Sequence, residues 1–241
     1  EQYPICSYNN FIKFENNNIR ILMIKDITIY LIARLNSERL PNKMIIPFDE
    51  INNHSLFERA CSKMKDLKFK NKVAIGEESL INISNKYNIE IEKRPQNELD
   101  SNGKLREVFN FLSNTKTSHA MLISPCNPFI TADVLNNACD IFLKNDYISM
   151  TSVIKDQNWY FDYNYNPISP IDPYKMNSKD IKLFKKANVF EIFPVKRFLE
   201  KGIYYTFESK IDPFFYEIEK KHSIDIDDET DFNIAKSLIN D

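Results

Sequence analysis

The run ITIYLIA (27–33), followed at once by RLNSERLPNK (34–43), decides how this chain is read. Its first seven residues are an unbroken β-branched, aromatic and aliphatic stretch, the composition of a strand buried on both faces. Strands of that kind belong to parallel sheets covered by helices, so the same alternation is expected downstream. KVAIG (72–76), IEIEK (89–93), HAMLISP (119–125), YISMTSVIK (147–155) and NVFEIFPV (188–195) read as further strands. Helical patterns fall between them at 55–67, 77–87, 105–112 and 131–145. The first carries Leu56, Ala60, Met64 and Leu67 at helical spacing behind His54 or Ser55 as cap, and the last opens on Thr131. The expectation is a single α/β domain, three-layered, with a mostly parallel central sheet.

Outside that frame the pattern changes. Residues 1–26 are polar and Asn-rich and read as a leader or the remnant of a preceding domain, leaving 27–241 as the folded domain. Residues 156–186 hold Pro167, Pro170 and Pro173 among aromatics, so an irregular excursion, a lid or a dimer arm, is expected there. Its Tyr160, Tyr163 and Tyr165 are expected to pack on their own domain, with a sugar pocket or a dimer contact as the alternatives. Residues 195–202 read as a short helix ending at Gly202, 212–220 as extended or irregular, and 223–239 as a short strand and a capped helix.

Composition excludes several classes. With 32 Lys+Arg against 34 Asp+Glu in 241 residues, no basic excess marks a nucleic-acid coat. The chain has 3 glycines where average usage gives roughly 17, and neither a dinucleotide nor a Walker phosphate fingerprint can be written with them. Four scattered cysteines (Cys6, Cys61, Cys126, Cys139) form no C-x-x-C, so a reduced, cytoplasmic setting is expected. The longest apolar stretch, 21–33, is interrupted by Lys25 and Asp26 and is too short to span a membrane.

Two places carry candidate chemistry. The loop 34–43 leaves the carboxyl end of the first strand, where ligands sit in parallel α/β sheets, and it holds Arg34, Arg39 and Lys43. Forked guanidiniums and a compact ammonium suit a polyphosphate, with Asn36 and Ser37 as further donors. A plain solvated loop is the alternative. The second place is SIDIDDETDF (223–232). In a strand Asp225 and Asp227 would face one side together while Ile224 and Ile226 face the core. Two such carboxylates, with Asp231 a turn later, make an oxygen-rich site for Mg²⁺. Helix capping accounts equally for Asp228 and Glu229.

ARLNSERLPNK (33–43) resembles the A-R-x-x-S-x-x-[IL]-P-x-K loop of the CMP-sugar synthetases, which activate sialic acids and 3-deoxy-manno-octulosonate. KRP (93–95), SPCNPFITADVLNNACDIF (124–142) and SIDIDDETDFNIA (223–235) are similar to further motifs of the sialic acid branch, in the same order. The resemblance implies a Rossmann-like nucleotidyltransferase fold and CTP-dependent, Mg²⁺-assisted transfer of CMP to a sugar acid, with loss of pyrophosphate, by a homodimer. It implies that Arg34, Lys43 and Asp227 are catalytic, that Arg34, Asn36, Ser37, Arg39, Lys43 and Arg94 bind the nucleotide, and that Asp225 and Asp227 hold the metal. Asn188 falls at the family's N-G-A-x-Y, near the sugar-acid pocket, and Lys104 and Arg106 are candidate substrate ligands, for phosphate or carboxylate, or plain solvent-facing bases. The sequence departs from the pattern at Ser124, Cys126, Asn127 and after Asn188, and 97–108 is closer to the octulosonate branch. Two alternatives stay open: transfer to another acid, a polyol phosphate or a phosphonate, and a catalytically silent binding module.

Overall fold

The computed structural model describes residues 10–15, 18–23, 25–100, 103–170, 172, 174 and 177–240. Cys6 and Pro173, singled out above, lie outside them. Strands β1 (Asn10–Glu15) and β2 (Asn18–Met23) form an antiparallel hairpin. The strand expected at 27–33 is β3 (Ile27–Ile32), buried over almost its whole length. A small antiparallel pair, β4 (Pro47–Asp49) and β5 (His54–Ser55), then leads into α1 (Leu56–Met64). Ser55 settles the cap. Its hydroxyl accepts from the Glu58 N–H while the Glu58 carboxylate accepts from the Ser55 N–H, a reciprocal capping box.

The alternation then runs as β6 (Lys70–Ile75), α2 (Glu78–Lys86), β7 (Ile91–Lys93), α3 (Gln96–Leu99), α4 (Leu105–Val108), β8 (His119–Ile123), α5 (Ala132–Lys144) and β9 (Met150–Asp156). The helix expected at 105–112 is broken at Phe109, whose ψ of 34° leaves the helical well, and continues as a 3₁₀ turn over Asn110–Asn114. A twelve-residue β10 (Leu183–Pro194) precedes α6 (Val195–Lys201), which closes on Gly202 at φ 71°. Strand β11 (Phe214–Glu217) and α7 (Glu229–Asn240) end the chain.

Seven strands form the central sheet in the order β11-β9-β10-β8-β3-β6-β7. Four of its six pairings are parallel, and only β10 runs against both neighbours. The sheet is therefore mostly parallel, as expected, and β11 turns the irregular segment 212–220 into an ordered edge. One core packs α1, α2 and α5 on one face around Ile29, Leu31, Val73, Met121 and Phe142. Another packs α6 on the opposite face around Tyr30, Leu122, Phe193 and Phe198. A third seats α7, with Phe48, Phe129, Ile226, Phe232 and Ala235 buried together and the Phe48 and Phe232 rings edge to face at 5.3 Å.

The excursion after β9 is irregular apart from an isolated bridge between Phe161 and Pro167. Tyr163 and Tyr165 do not pack on their own domain, for both stand in solvent. Tyr160 alone is tied down, by its hydroxyl on the Asp156 carboxylate. Among the described residues no helix is long and apolar enough to cross a membrane.

His119, at the start of β8, is buried edge-on against Phe142. Burial first, and then the nearby Lys25 charge, push its imidazole down from 6.5 to about 4. The unfolded chain therefore binds a proton near pH 6.5 that the folded chain refuses. The His119 contribution to stability is expected to fall as pH drops from about 6.5 toward 4, by roughly 3 kcal/mol, and that contribution levels off below. Urea midpoints across that range check it, and His119→Leu should flatten that part of the curve.

Candidate functional site

The loop after β3 is fixed by its own backbone. Ala33 donates to the Ala74 carbonyl, extending the ladder by one residue, and the Leu35 N–H donates to Glu77 Oε1 at 2.8 Å. Two turns follow, Lys43 to Leu40 and Ile45 to Asn42, with Asn42 at φ 59°, a conformation Asn tolerates better than most residues. The result is a cavity of about 560 Å³ at the carboxyl ends of β3, β7 and β8. Arg34, Asn36, Ser37, Arg39, Lys43 and Arg94 all line it, and Asp227 joins them from the far end of the chain. Gly76 is needed beside it, because a Cβ there would sit 2.4 Å from the Arg94 carbonyl oxygen.

The acidic segment corrects one expectation. Residues 224–227, where the strand was expected, belong to no sheet, and a 3₁₀ turn over Lys220–Ser223 leads into them. The backbone explains why. The Ile226 N–H donates to the Cys126 carbonyl at 2.9 Å, and its carbonyl accepts from Lys43 Nζ at 2.7 Å, so a loop and an ammonium replace the ladder. The in–out alternation survives: Ile226 is fully buried in the third core while Asp225 and Asp227 stay partly exposed. Asp231 is engaged otherwise, since its Oδ2 accepts from the Asp227 and Asp228 N–H groups. Asp228 in turn accepts from the Asp231 N–H, so capping is the right account of those two residues.

Lys43 is only 8% exposed, and its hold on Ile226 makes it the support of the acidic segment as well as a wall of the cavity. Arg39 Nη2 pairs with Asp227 Oδ1 at 2.8 Å. Burial and then the Asp227 charge push the Asp225 carboxyl up to about 6, against the opposing pull of Lys43 and Arg39. A carboxyl whose proton affinity is raised by burial and by a like charge beside it is one that a hard cation would relieve. Among the described residues no group of three His, Cys, Asp or Glu side chains is placed to hold a metal. Two carboxylates still fit Mg²⁺, which takes one or two from protein and completes its shell with water and substrate phosphates.

The other expected residues are placed less centrally. Arg94 is buried, with Nη2 on the Val108 carbonyl at 2.9 Å and its guanidinium over Phe109 and Phe111, so it braces the cavity wall. Arg34 Nη1 reaches the Leu99 carbonyl at 3.1 Å. Lys104 caps α4 and is exposed, and Arg106 lies against Gly202; neither lines the cavity. Asn188 is exposed at φ 54° in a β-bulge of β10, whose freed Val189 and Phe190 N–H groups both donate to the Ser152 hydroxyl. The cavity also takes Met44, Val108, Phe109, Ser124 and Cys126. The last two were open to prediction, since they follow the carboxyl end of β8. No local signal marked Val108 and Phe109.

No family model and no curated sequence matches the chain. Solved structures do. A CMP:2-keto-3-deoxy-manno-octonic acid synthetase complexed with CTP superposes with TM-score 0.63 at 10% identity, over 90% of this chain and 99% of that one. The 4-diphosphocytidyl-2C-methyl-D-erythritol synthase of Anaerococcus prevotii gives 0.62 at 12% identity, over 90% and 97%. A cytidylyltransferase of Leptospira borgpetersenii gives 0.53 at 18% identity, over 91% and 87%. The chain has the fold of the cytidylyltransferases.

Proposed function

We propose that this protein is a CTP-dependent cytidylyltransferase that activates a sugar acid, a sialic acid-like nonulosonate or a relative, releasing pyrophosphate. The observation that carries the reading is that Arg34 and Lys43 share one cavity with Asp227, although nearly the whole chain separates them. That cavity joins a cationic wall to an acidic one at the end of the sheet where ligands bind. The cytidylyltransferase neighbours add support through the fold.

In this reading an acceptor hydroxyl attacks the α-phosphorus of CTP. A new P–O bond forms, the bond from the α-phosphorus to the oxygen bridging the β-phosphate breaks, pyrophosphate leaves with that oxygen, and the hydroxyl proton passes to water. Little covalent chemistry falls to the protein, so positioning and charge neutralisation supply the rate. Arg34 and Arg39 grip the β- and γ-phosphates, Lys43 stabilises the departing pyrophosphate, and Asn36 and Ser37 add donors. Asp225 and Asp227 would hold Mg²⁺, which when bound would supply Lewis-acid neutralisation of phosphate charge. Lys104, Arg106 and Asn188 stand outside the cavity, so this reading assigns the acceptor no contact with them. A homodimer belongs to the same proposal, supported by the solvent-exposed Phe161, Tyr163, Tyr165 and Tyr174 of the excursion.

Pyrophosphate release with CTP, Mg²⁺ and a panel of sugar acids, polyol phosphates and phosphonates tests it. Release dependent on a sugar acid is the expected result. Release with another acceptor class corrects the substrate. No release, with no thermal shift by CTP, leaves the silent module.

A further inference from the structure

The two cations nearest the acidic segment are held differently. Lys43 is buried, and its Nζ is fixed on the Ile226 carbonyl. Arg39 sits on the open side of the loop, its side chain 63% exposed, and its charge partner is Asp227, itself 45% exposed. One cation is built in and the other is mounted on a surface ion pair, a contact worth only about 0–1 kcal/mol. Arg39 lies on the very carboxylate offered to the metal. A divalent ion bound at Asp227 and a guanidinium on the same oxygen repel one another, so the two cannot share it.

We propose that Arg39 is the resident counter-ion of Asp227, which a divalent cation displaces and whose freed guanidinium then takes the phosphate tail of the nucleotide. The inference deepens the nucleotidyl-transfer reading and rests on it. The exchange costs little, because the pair is exposed, and it returns much, because a forked guanidinium matches phosphate oxygens. It also couples the two ligands. Phosphates that draw Arg39 away unmask Asp227 for the metal, and by linkage the metal improves phosphate binding equally. Neither ligand alone finds the site complete.

Mn²⁺ binding to the full, nucleotide-free chain, read by the loss of the free-ion electron paramagnetic resonance signal, tests this without any turnover. Arg39→Gln is expected to bind Mn²⁺ about three- to fivefold more tightly than wild type, the range of an exposed ion pair. Arg39→Lys, which keeps the charge, should stay near wild type, and Lys196→Gln on α6 should change nothing. High salt should narrow the Arg39→Gln difference. Equal or weaker binding by Arg39→Gln, with Mn²⁺ bound to wild type, overturns the counter-ion role and leaves nucleotidyl transfer standing. Failure of wild type and Arg39→Gln alike to bind Mn²⁺ overturns the metal site and the counter-ion role together.

Discussion

Asp227→Asn is expected to lower nucleotidyl transfer by at least about a hundredfold, the scale of losing one strong electrostatic contact to the reacting phosphates. The amide keeps the side chain's size and removes its charge, so the cavity loses the Asp227 carboxylate, while the partly buried Asp225 lies outside its lining. The fold should not notice. Its ion pair with Arg39 lies in solvent, and such a pair contributes at most about 1 kcal/mol. Melting should therefore stay near wild type while turnover collapses and more Mg²⁺ is needed for half-maximal rate. Asp228→Asn is the matched control. Its side-chain oxygen accepts from the Asp231 N–H at 2.9 Å, and an Asn oxygen can accept the same bond, so stability and turnover should both stay near wild type. Pyrophosphate release with the best acceptor measures both. Wild-type turnover in Asp227→Asn with unchanged magnesium dependence removes Asp227 from the site, and an inactive Asp228→Asn would move the chemistry to the cap.

The buried strands could be read directly because burial on both faces leaves a compositional mark, and β3, β6, β8 and β9 carry it. The direction of β10 could not. Nothing in NVFEIFPV distinguishes a strand that runs with its neighbours from one that runs against them, and residues 183–187 joined it through pairing with β9. The cationic loop was recognisable as a site because it follows a strand's carboxyl end. Asp225 and Asp227 share the open side of their segment, as the Ile frame suggested, but the physical cause is different. Packing of Ile226 and two long-range hydrogen bonds set their direction, not a sheet. Val108 and Phe109 escaped notice because a cavity wall assembled from a helix end leaves no periodic trace. The exposed Tyr163 and Tyr165 ran against the ordinary preference of aromatics for their own core.

The second large effect concerns stability. Arg197→Met is expected to destabilise the protein by about 3–5 kcal/mol, the loss seen when one member of a buried ion pair is removed. At roughly 2–4 °C per kcal/mol for a chain of this size, the melting temperature should drop by about 10 °C. Burial alone would raise the Asp212 carboxyl, yet hydrogen bonds from Arg197, Ser149 and Thr206 hold it below its ordinary value. Arg197 brings both of its terminal nitrogens, at 2.6 and 2.9 Å, and also holds the Tyr204 carbonyl. One guanidinium thus joins α6 to the segment that feeds the edge strand β11. Without it Asp212 keeps two hydroxyl donors and a buried charge with no cation, which is the costly state. The sign with pH follows. In wild type the Asp212 contribution is complete above about pH 4 and is lost as pH falls through the lowered native value. In Arg197→Met the lone carboxylate protonates at higher pH, so the deficit should be largest near neutrality and shrink as the medium turns acidic. Denaturant midpoints of both proteins from pH 7 to pH 4 measure it. A deficit that is small at pH 7, or that grows with acidity, would show that Asp212 does not depend on Arg197 for its charge.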